Sequence, residues 1–128
     1  MPSKPGADAV TPGYRIRLHV DGVRMFGPGT HEYLRHVDKT GSLHQAAKLM
    51  GMSYAKAWTL LRKTEEHLCW PLVERHIGGA VGAGTSLTKT GRDLLQRVDR
   101  FVAETDAAMQ EAFEAAFGDW SSPGEPQS

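Results

Sequence analysis

The residues best placed to do chemistry lie between Ser53 and Lys63, where hydroxyls, ammonium groups and two aromatic rings share about three helical turns. Read as a helix, this stretch puts Ala57, Leu61 and Leu68 on one face with Trp58 at its edge. Ala55, Lys56, Thr59, Arg62 and Lys63 fall on the other. Lys56 on an exposed face can reach guanine acceptors, and Ser53 and Thr59 can donate or accept. Tyr54 offers its ring to a thymine methyl or its hydroxyl to a phosphate. That chemistry reads base-pair edges. Upstream, Ser42 and Gln45 stand where a shorter helix would begin, with backbone amides able to meet a phosphate. Downstream, Arg75, His76 and Lys89 flank a glycine-rich run, Gly78 to Gly84, and are candidates for backbone contacts.

Other chemistries fit less well. The glycine run has no closing Gly-Lys-Ser/Thr and sits inside a hairpin pattern, so it is not read as a nucleotide cradle. His67, Cys69 and His76 are the one histidine–cysteine cluster worth naming, and their spacing matches no common zinc pattern. No metal or other cofactor is expected. The chain shows no nucleophile elbow, no paired carboxylates and no His-Glu-x-x-His helix, so it is not expected to be an enzyme and has no catalytic residue to name. The single cysteine, Cys69, lies between Leu68 and Trp70 and is expected to be packed and inert.

These residues need elements to hold them. Tyr14 to Val20 alternates apolar and polar residues as a half-buried strand does, with Tyr14, Ile16, Leu18 and Val20 on one face. Asp21-Gly22 turns it back through Val23 to Phe26. Gly27-Pro28-Gly29 breaks the chain. Thr30 is placed to cap a helix reaching about Thr40, with Tyr33, Leu34 and Val37 inward and Gly41 at its end. Ser42 followed by Gln45 has the form of a capping box opening a second helix, whose Leu43, Ala46, Ala47 and Met50 make a narrow apolar stripe. Gly51 supplies a turn at positive φ, and Ser53 caps the third helix, which reaches about Leu68. Pro71 stops it, Leu72 to Ile77 and Ser86-Leu87 form a two-stranded wing, and Thr88 caps a last helix extending to about Phe117. At the usual rise that helix is roughly 45 Å long.

The last helix carries an apolar stripe, including Leu94, Leu95, Val98, Phe101, Val102, Met109, Phe113 and Phe117, that outruns a small core. Burying it against a twin gives a two-fold homodimer, with Leu94, Val98, Phe101, Val102, Met109 and Phe113 as its contacts. Folding back on its own domain is the alternative. The fold class is therefore mainly α with small β: a winged helix-turn-helix with an N-terminal hairpin and a long C-terminal dimerisation helix. The organisation expected is a disordered arm over 1–12, the winged domain over 13–88, the dimerisation helix over 89–118 and a disordered tail over 119–128.

Length and charge agree. The chain has 128 residues, enough for one cored domain. It has no run of about 20 apolar residues and no secretory core, so a cytoplasmic location is expected and no membrane partner. Formal net charge is zero, but unevenly spread. From Thr40 to Gly91 the bases Lys48, Lys56, Arg62, Lys63, Arg75 and Lys89 outnumber Glu65, Glu66 and Glu74, while no Lys or Arg follows Arg100. A basic middle suits a DNA-binding face. Zero net charge and the acidic last helix leave open a winged module that binds protein instead.

On Thr40-Gly41-Ser42, Gln45-Ala46-Ala47-Lys48, Gly51-Met52-Ser53-Tyr54 with Ala57-Trp58, Leu72-Val73-Glu74-Arg75, Gly78-Gly79 and Leu87-Thr88 with Gly91, the chain from about Gly27 to Leu95 resembles a known family. It looks like the N-terminal DNA-binding domain of molybdate-responsive ModE-type transcription regulators. LysR-type regulators are the nearest relatives and the competing assignment; the N-terminal hairpin favours the ModE-like reading. The resemblance implies a dimeric winged-helix regulator that reads a palindromic double-stranded DNA operator through its third helix, with a link to molybdenum homeostasis. Two departures bear on it. The chain leaves no room for the family's C-terminal oxyanion-binding domain, so a stand-alone DNA-binding domain is expected and molybdate binding by this chain is not. Ala80 and Val81 stand where a basic residue would help the wing reach DNA.

Overall fold

The computed structural model describes residues 10–77 and 84–120. Most of the expected arm, the glycine run from Gly78 to Ala83 and the tail from Ser121 lie outside the described residues. The elements run β1 (Leu18–Val20), β2 (Val23–Phe26), α1 (Pro28–Thr40), α2 (Leu43–Leu49), α3 (Tyr54–Leu68), β3 (Val73–His76), β4 (Gly84–Leu87) and α4 (Lys89–Phe117). Two compact units divide the chain: Arg15–Arg100, and Phe101 onward together with the residues up to Tyr14. The division falls inside α4, twelve residues beyond the expected start of a separate helix domain, because Gly91, Leu95 and Val98 are buried with the winged unit.

In the Arg15–Arg100 unit, Tyr33, Leu34 and Val37 from α1, Leu43, Ala46 and Ala47 from α2 and Ala57 and Leu61 from α3 form the core, joined by Phe26, Leu72 and Leu87. The alanines on α2 and α3 let those helices approach closely. Polar groups drawn into this core are satisfied. Tyr33 donates its hydroxyl to the Leu43 carbonyl at 3.1 Å, and Thr64 donates to the Met25 carbonyl at 2.7 Å, tying the first hairpin to α3. Burial pushes the Tyr33 phenol up to about 12.

Three expectations are corrected. β1 is shorter than Tyr14 to Val20: pairing starts at Leu18, with an irregularity between Leu18 and His19, and Tyr14 lies outside it. In the second unit the Tyr14 hydroxyl is instead bonded to the Asp106 carboxylate and the Val102 carbonyl, and the Asp106 bond raises its pKa to about 12. Thr30 does not cap α1; Pro28 opens the helix, since its fixed φ and missing N–H suit the first turn, and Thr30 is buried inside it. Cys69 is exposed, not packed. It closes α3 in the left-handed region at φ 57°, its amide donating to the Glu65 carbonyl, which leaves its side chain and Trp70 outside. Glu65 is buried, and its carboxylate accepts the Leu72 amide at 2.7 Å.

The first strand's alternation otherwise holds, with Ile16, Leu18 and Val20 half-buried and Arg15, Arg17 and His19 outward. Gly91 is needed where α4 meets the wing: a Cβ there would lie 3.0 Å from the Leu72 carbonyl carbon and deeper still into its oxygen. Thr88 caps α4 by accepting the Gly91 amide at 3.0 Å while donating to the Pro71 carbonyl at 2.8 Å.

Candidate nucleic-acid interface

The helix-turn-helix is built by its caps. Ser42 accepts the Gln45 amide at 3.1 Å, so that amide is already committed. The return arm of the expected capping box is supplied by Thr40, not by Gln45: the Ser42 amide donates to the Thr40 hydroxyl at 3.2 Å, and the Gln45 side chain stays exposed. Gly51, at φ 67°, makes the turn that lets α3 start in a new direction. Ser53 then accepts the Lys56 amide at 3.2 Å and caps α3.

Beyond that cap, Ala55, Lys56, Thr59, Arg62 and Lys63 are all exposed, opposite the buried row of Ala57, Leu61, Thr64 and Glu65. The Thr59 hydroxyl donates to the Ala55 carbonyl at 2.9 Å and keeps acceptor capacity outward. Burial of Glu65 beneath Arg62, 3.4 Å away, withdraws one acid from the helix surface. The exposed side of the first ten residues of α3 therefore carries cations and no carboxylate.

Tyr54 and Trp58 occupy the edge of α3 toward the wing. The Tyr54 ring stacks on His44 of α2, centroids 3.9 Å apart and 11° between planes, and lies 6.4 Å from the Trp58 ring. The Arg75 guanidinium, from β3, donates to the Tyr54 hydroxyl at 2.7 Å and sits 5.4 Å from the Trp58 centroid; Arg62 lies 5.6 Å from the same ring. Of these, His44, Trp58 and Arg62 were not picked out as site residues. Nothing in local spacing marks His44; Trp58 and Arg62 are marked only by being four and eight residues beyond Tyr54 on one helix.

The wing is docked on the same corner. β3 and β4 pair antiparallel from Val73 with Leu87 to His76 with Gly84, and the Thr85 amide donates to the Gly41 carbonyl at 2.9 Å. The His76 ring bonds the Ser86 hydroxyl at 2.7 Å, while His67 Nδ1 is engaged with the Lys63 carbonyl; among the described residues no group of three His, Cys, Asp or Glu is placed to hold a metal ion. A groove of about 380 Å³ lies between wing and helices, lined by Ser42, His44, Tyr54, Arg75, His76 and Thr85 among others. Ser42, Tyr54 and Arg75 are thus brought together. Lys56, Thr59 and Lys63 project along α3, and Lys89 is exposed past the opposite end of β4.

On α4, the residues expected to join a second copy behave differently. Val98 is buried at 4% exposure and Leu94 is half-buried, so Val98 is withdrawn from the open stripe. Further on, Phe101 and Phe117 are 49% and 45% exposed, and Val102, Met109 and Phe113 are half-buried. Phe117 stacks on Phe113 at 5.1 Å and meets Trp120 edge-on at 6.1 Å, a cluster to which Trp120 adds unforeseen surface.

Two helices across a glycine turn, a docked two-stranded wing and an exposed cationic row on the second helix define a winged helix-turn-helix of the kind found in transcription regulators. Residues 30–92 match the family described as "Bacterial regulatory helix-turn-helix protein, lysR family". The chain is 41% identical over 84 residues to the transcriptional regulator ModE of Haemophilus influenzae, covering 66% of this chain and 33% of that protein. It is 39% identical over 66 residues to the DNA-binding transcriptional dual regulator ModE of Escherichia coli K12, covering 52% and 25%. It thus spans a third or less of the length of these relatives. Among solved structures, the CbnR DNA-binding domain in complex with DNA aligns with a TM-score of 0.56 at 23% identity, covering 68% of this chain and 94% of that one, a likeness of fold. The matched family and both ModE relatives are transcription regulators. Among the described residues no helix is long and apolar enough to cross a membrane.

Proposed function

We propose that this chain is a sequence-specific DNA-binding regulator of transcription that acts in the cytoplasm as a homodimer on a palindromic operator. The observation that carries the reading is the exposed row of Lys56, Thr59 and Lys63 in the first ten residues of α3, which hold no carboxylate and stand opposite a buried face. The first turns of α3 enter the major groove, where Lys56 meets guanine acceptors and Ser53 and Thr59 add hydroxyl contacts. Ser42 and Gln45 approach the backbone from α2, and Lys63, Arg75 and Lys89 approach phosphates. The exposed Phe101, with Val102, Met109 and Phe113, covers the same residues of a second copy. The likeness to ModE regulators supports a role in molybdenum homeostasis.

Selection from randomised duplex DNA with purified protein tests this directly. An enriched two-fold symmetric sequence is the expected result. Lys56→Ala relaxes base preference within it, whereas Lys63→Ala and Lys89→Ala weaken binding to all sequences and flatten the salt slope by about one unit each. Failure to enrich any sequence would sink the regulator reading.

A further inference from the structure

We propose that Tyr54 and Trp58 are positioning residues that hold Arg75 at the groove between helices and wing, where Arg75 grips one phosphodiester of the DNA backbone. The proposal rests on the DNA-binding reading above and changes the part Tyr54 plays in it. Its hydroxyl, expected to meet a phosphate, accepts a hydrogen bond from the Arg75 guanidinium at 2.7 Å. That bond occupies one of five guanidinium donors and leaves the phenol its own hydrogen to donate.

Arg75 is held from two directions. Tyr54 takes one nitrogen, and the Trp58 ring lies 5.4 Å from the guanidinium carbon, within the range of a cation–π contact. Tyr54 is itself fixed by its stack on His44. An arginine on a wing strand ordinarily loses much of its rotamer freedom on docking; here that order exists before DNA arrives. The groove suits an anion. Its lining includes the Ser42 and Thr85 hydroxyls, the His44 and His76 rings and the Arg75 guanidinium, and no aspartate or glutamate. An arginine fork with spare donors, set among hydroxyls and imidazoles, matches a phosphodiester better than a base edge.

The arrangement also joins two elements that the chain separates by 21 positions. α3 and β3 are linked through Arg75, Tyr54 and Trp58, so the wing strand moves with the helix that reads bases.

The test is a coupling measurement on DNA recovered from the selection and on random duplex DNA, each at several salt concentrations. Tyr54→Phe removes one oxygen and is expected to weaken binding to both DNAs about three- to tenfold, the range for losing a partly exposed bond to a charged group. Arg75→Ala weakens both and flattens the salt slope by about one unit. The double variant is expected to be no weaker than Arg75→Ala alone, since the phenol acts through the arginine. Trp58→Phe keeps a ring and most of the affinity, whereas Trp58→Leu behaves like Arg75→Ala; thermal melting of all five proteins reports whether each folds. Additive losses in the double variant, or a change of preference at one operator position in Tyr54→Phe, would overturn the positioning role and leave DNA binding standing. No binding by the unaltered chain at low salt would overturn both.

Discussion

Replacing Gly91 with alanine separates two opposing forces on one residue. Helix propensity alone favours the change, by up to about 1 kcal/mol, because glycine is the costlier residue within a helix. Packing opposes it: the new methyl would lie 3.0 Å from the Leu72 carbonyl carbon and inside the contact distance of the oxygen. Both partners are rigid backbone, so relief requires α4 to draw back from the wing. That movement strains two bonds at this junction, from the Thr88 amide to the Leu72 carbonyl at 2.9 Å and from the Thr88 hydroxyl to the Pro71 carbonyl at 2.8 Å. At about 1 kcal/mol net for each bond, with about 1 kcal/mol more for overpacking, the packing loss comes to about 3 kcal/mol, or about 2 kcal/mol after the propensity gain is subtracted. For a domain of this size that lowers the melting temperature by about 10 °C. Gly29→Ala is the internal control, since its methyl would meet only the Leu60 side chain at 3.5 Å. Circular-dichroism melts of the two variants decide the matter. If Gly91→Ala melts at or above the parent temperature, the close approach of α4 to Leu72 is wrong.

Three further outcomes follow from the same contacts. Tyr33→Phe deletes a buried bond to the Leu43 carbonyl and costs about 1 kcal/mol in denaturant titrations. Because burial raises the Tyr33 pKa to about 12, folding favours the neutral phenol: its contribution is whole below about pH 10 and is lost as pH climbs toward 12, a loss the phenylalanine variant lacks. Asp99 is pushed up by partial burial, but bonds from His31 and Arg35 outweigh this and hold it below the usual carboxylate range. Its contribution is therefore present above about pH 4 and fades as pH falls below that, so Asp99→Asn melts lower at neutral pH and shows a flatter acid limb. Phe113→Glu places a charge in the open stripe of α4 and is expected to convert a sedimenting dimer to monomer; a parent that already sediments as monomer would remove the two-fold assembly.

What could be read from the chain alone is the part governed by near neighbours. Ser42, Ser53 and Thr88 each cap the helix that follows because the bonded amide is three residues away. The periodicity of α3 fixed which side Lys56, Thr59 and Lys63 would face. Contacts made across the fold were hidden. Glu65 and Thr64 look like surface residues until Leu72 and Met25 are brought against them. Tyr54 looks like a base reader until Arg75, from another element, arrives at its hydroxyl. Cys69 was misjudged for a different reason: its apolar neighbours suggested packing, but the backbone there ends α3 in a left-handed turn that sends the side chain outward. Thr30 lost its expected role to Pro28 because two good starting signals competed within one turn.

The second strand of the wing is pinned near both ends, at Thr85 to the corner between α1 and α2 and just past Leu87 through Thr88 to Leu72. Neither anchor draws on the residues between His76 and Gly84. The register of β4 and the start of α4 are therefore set at Gly41 and Leu72. Both anchoring bonds run between backbone groups, so substitutions along β4 can change its outward side chains while the strand keeps its place.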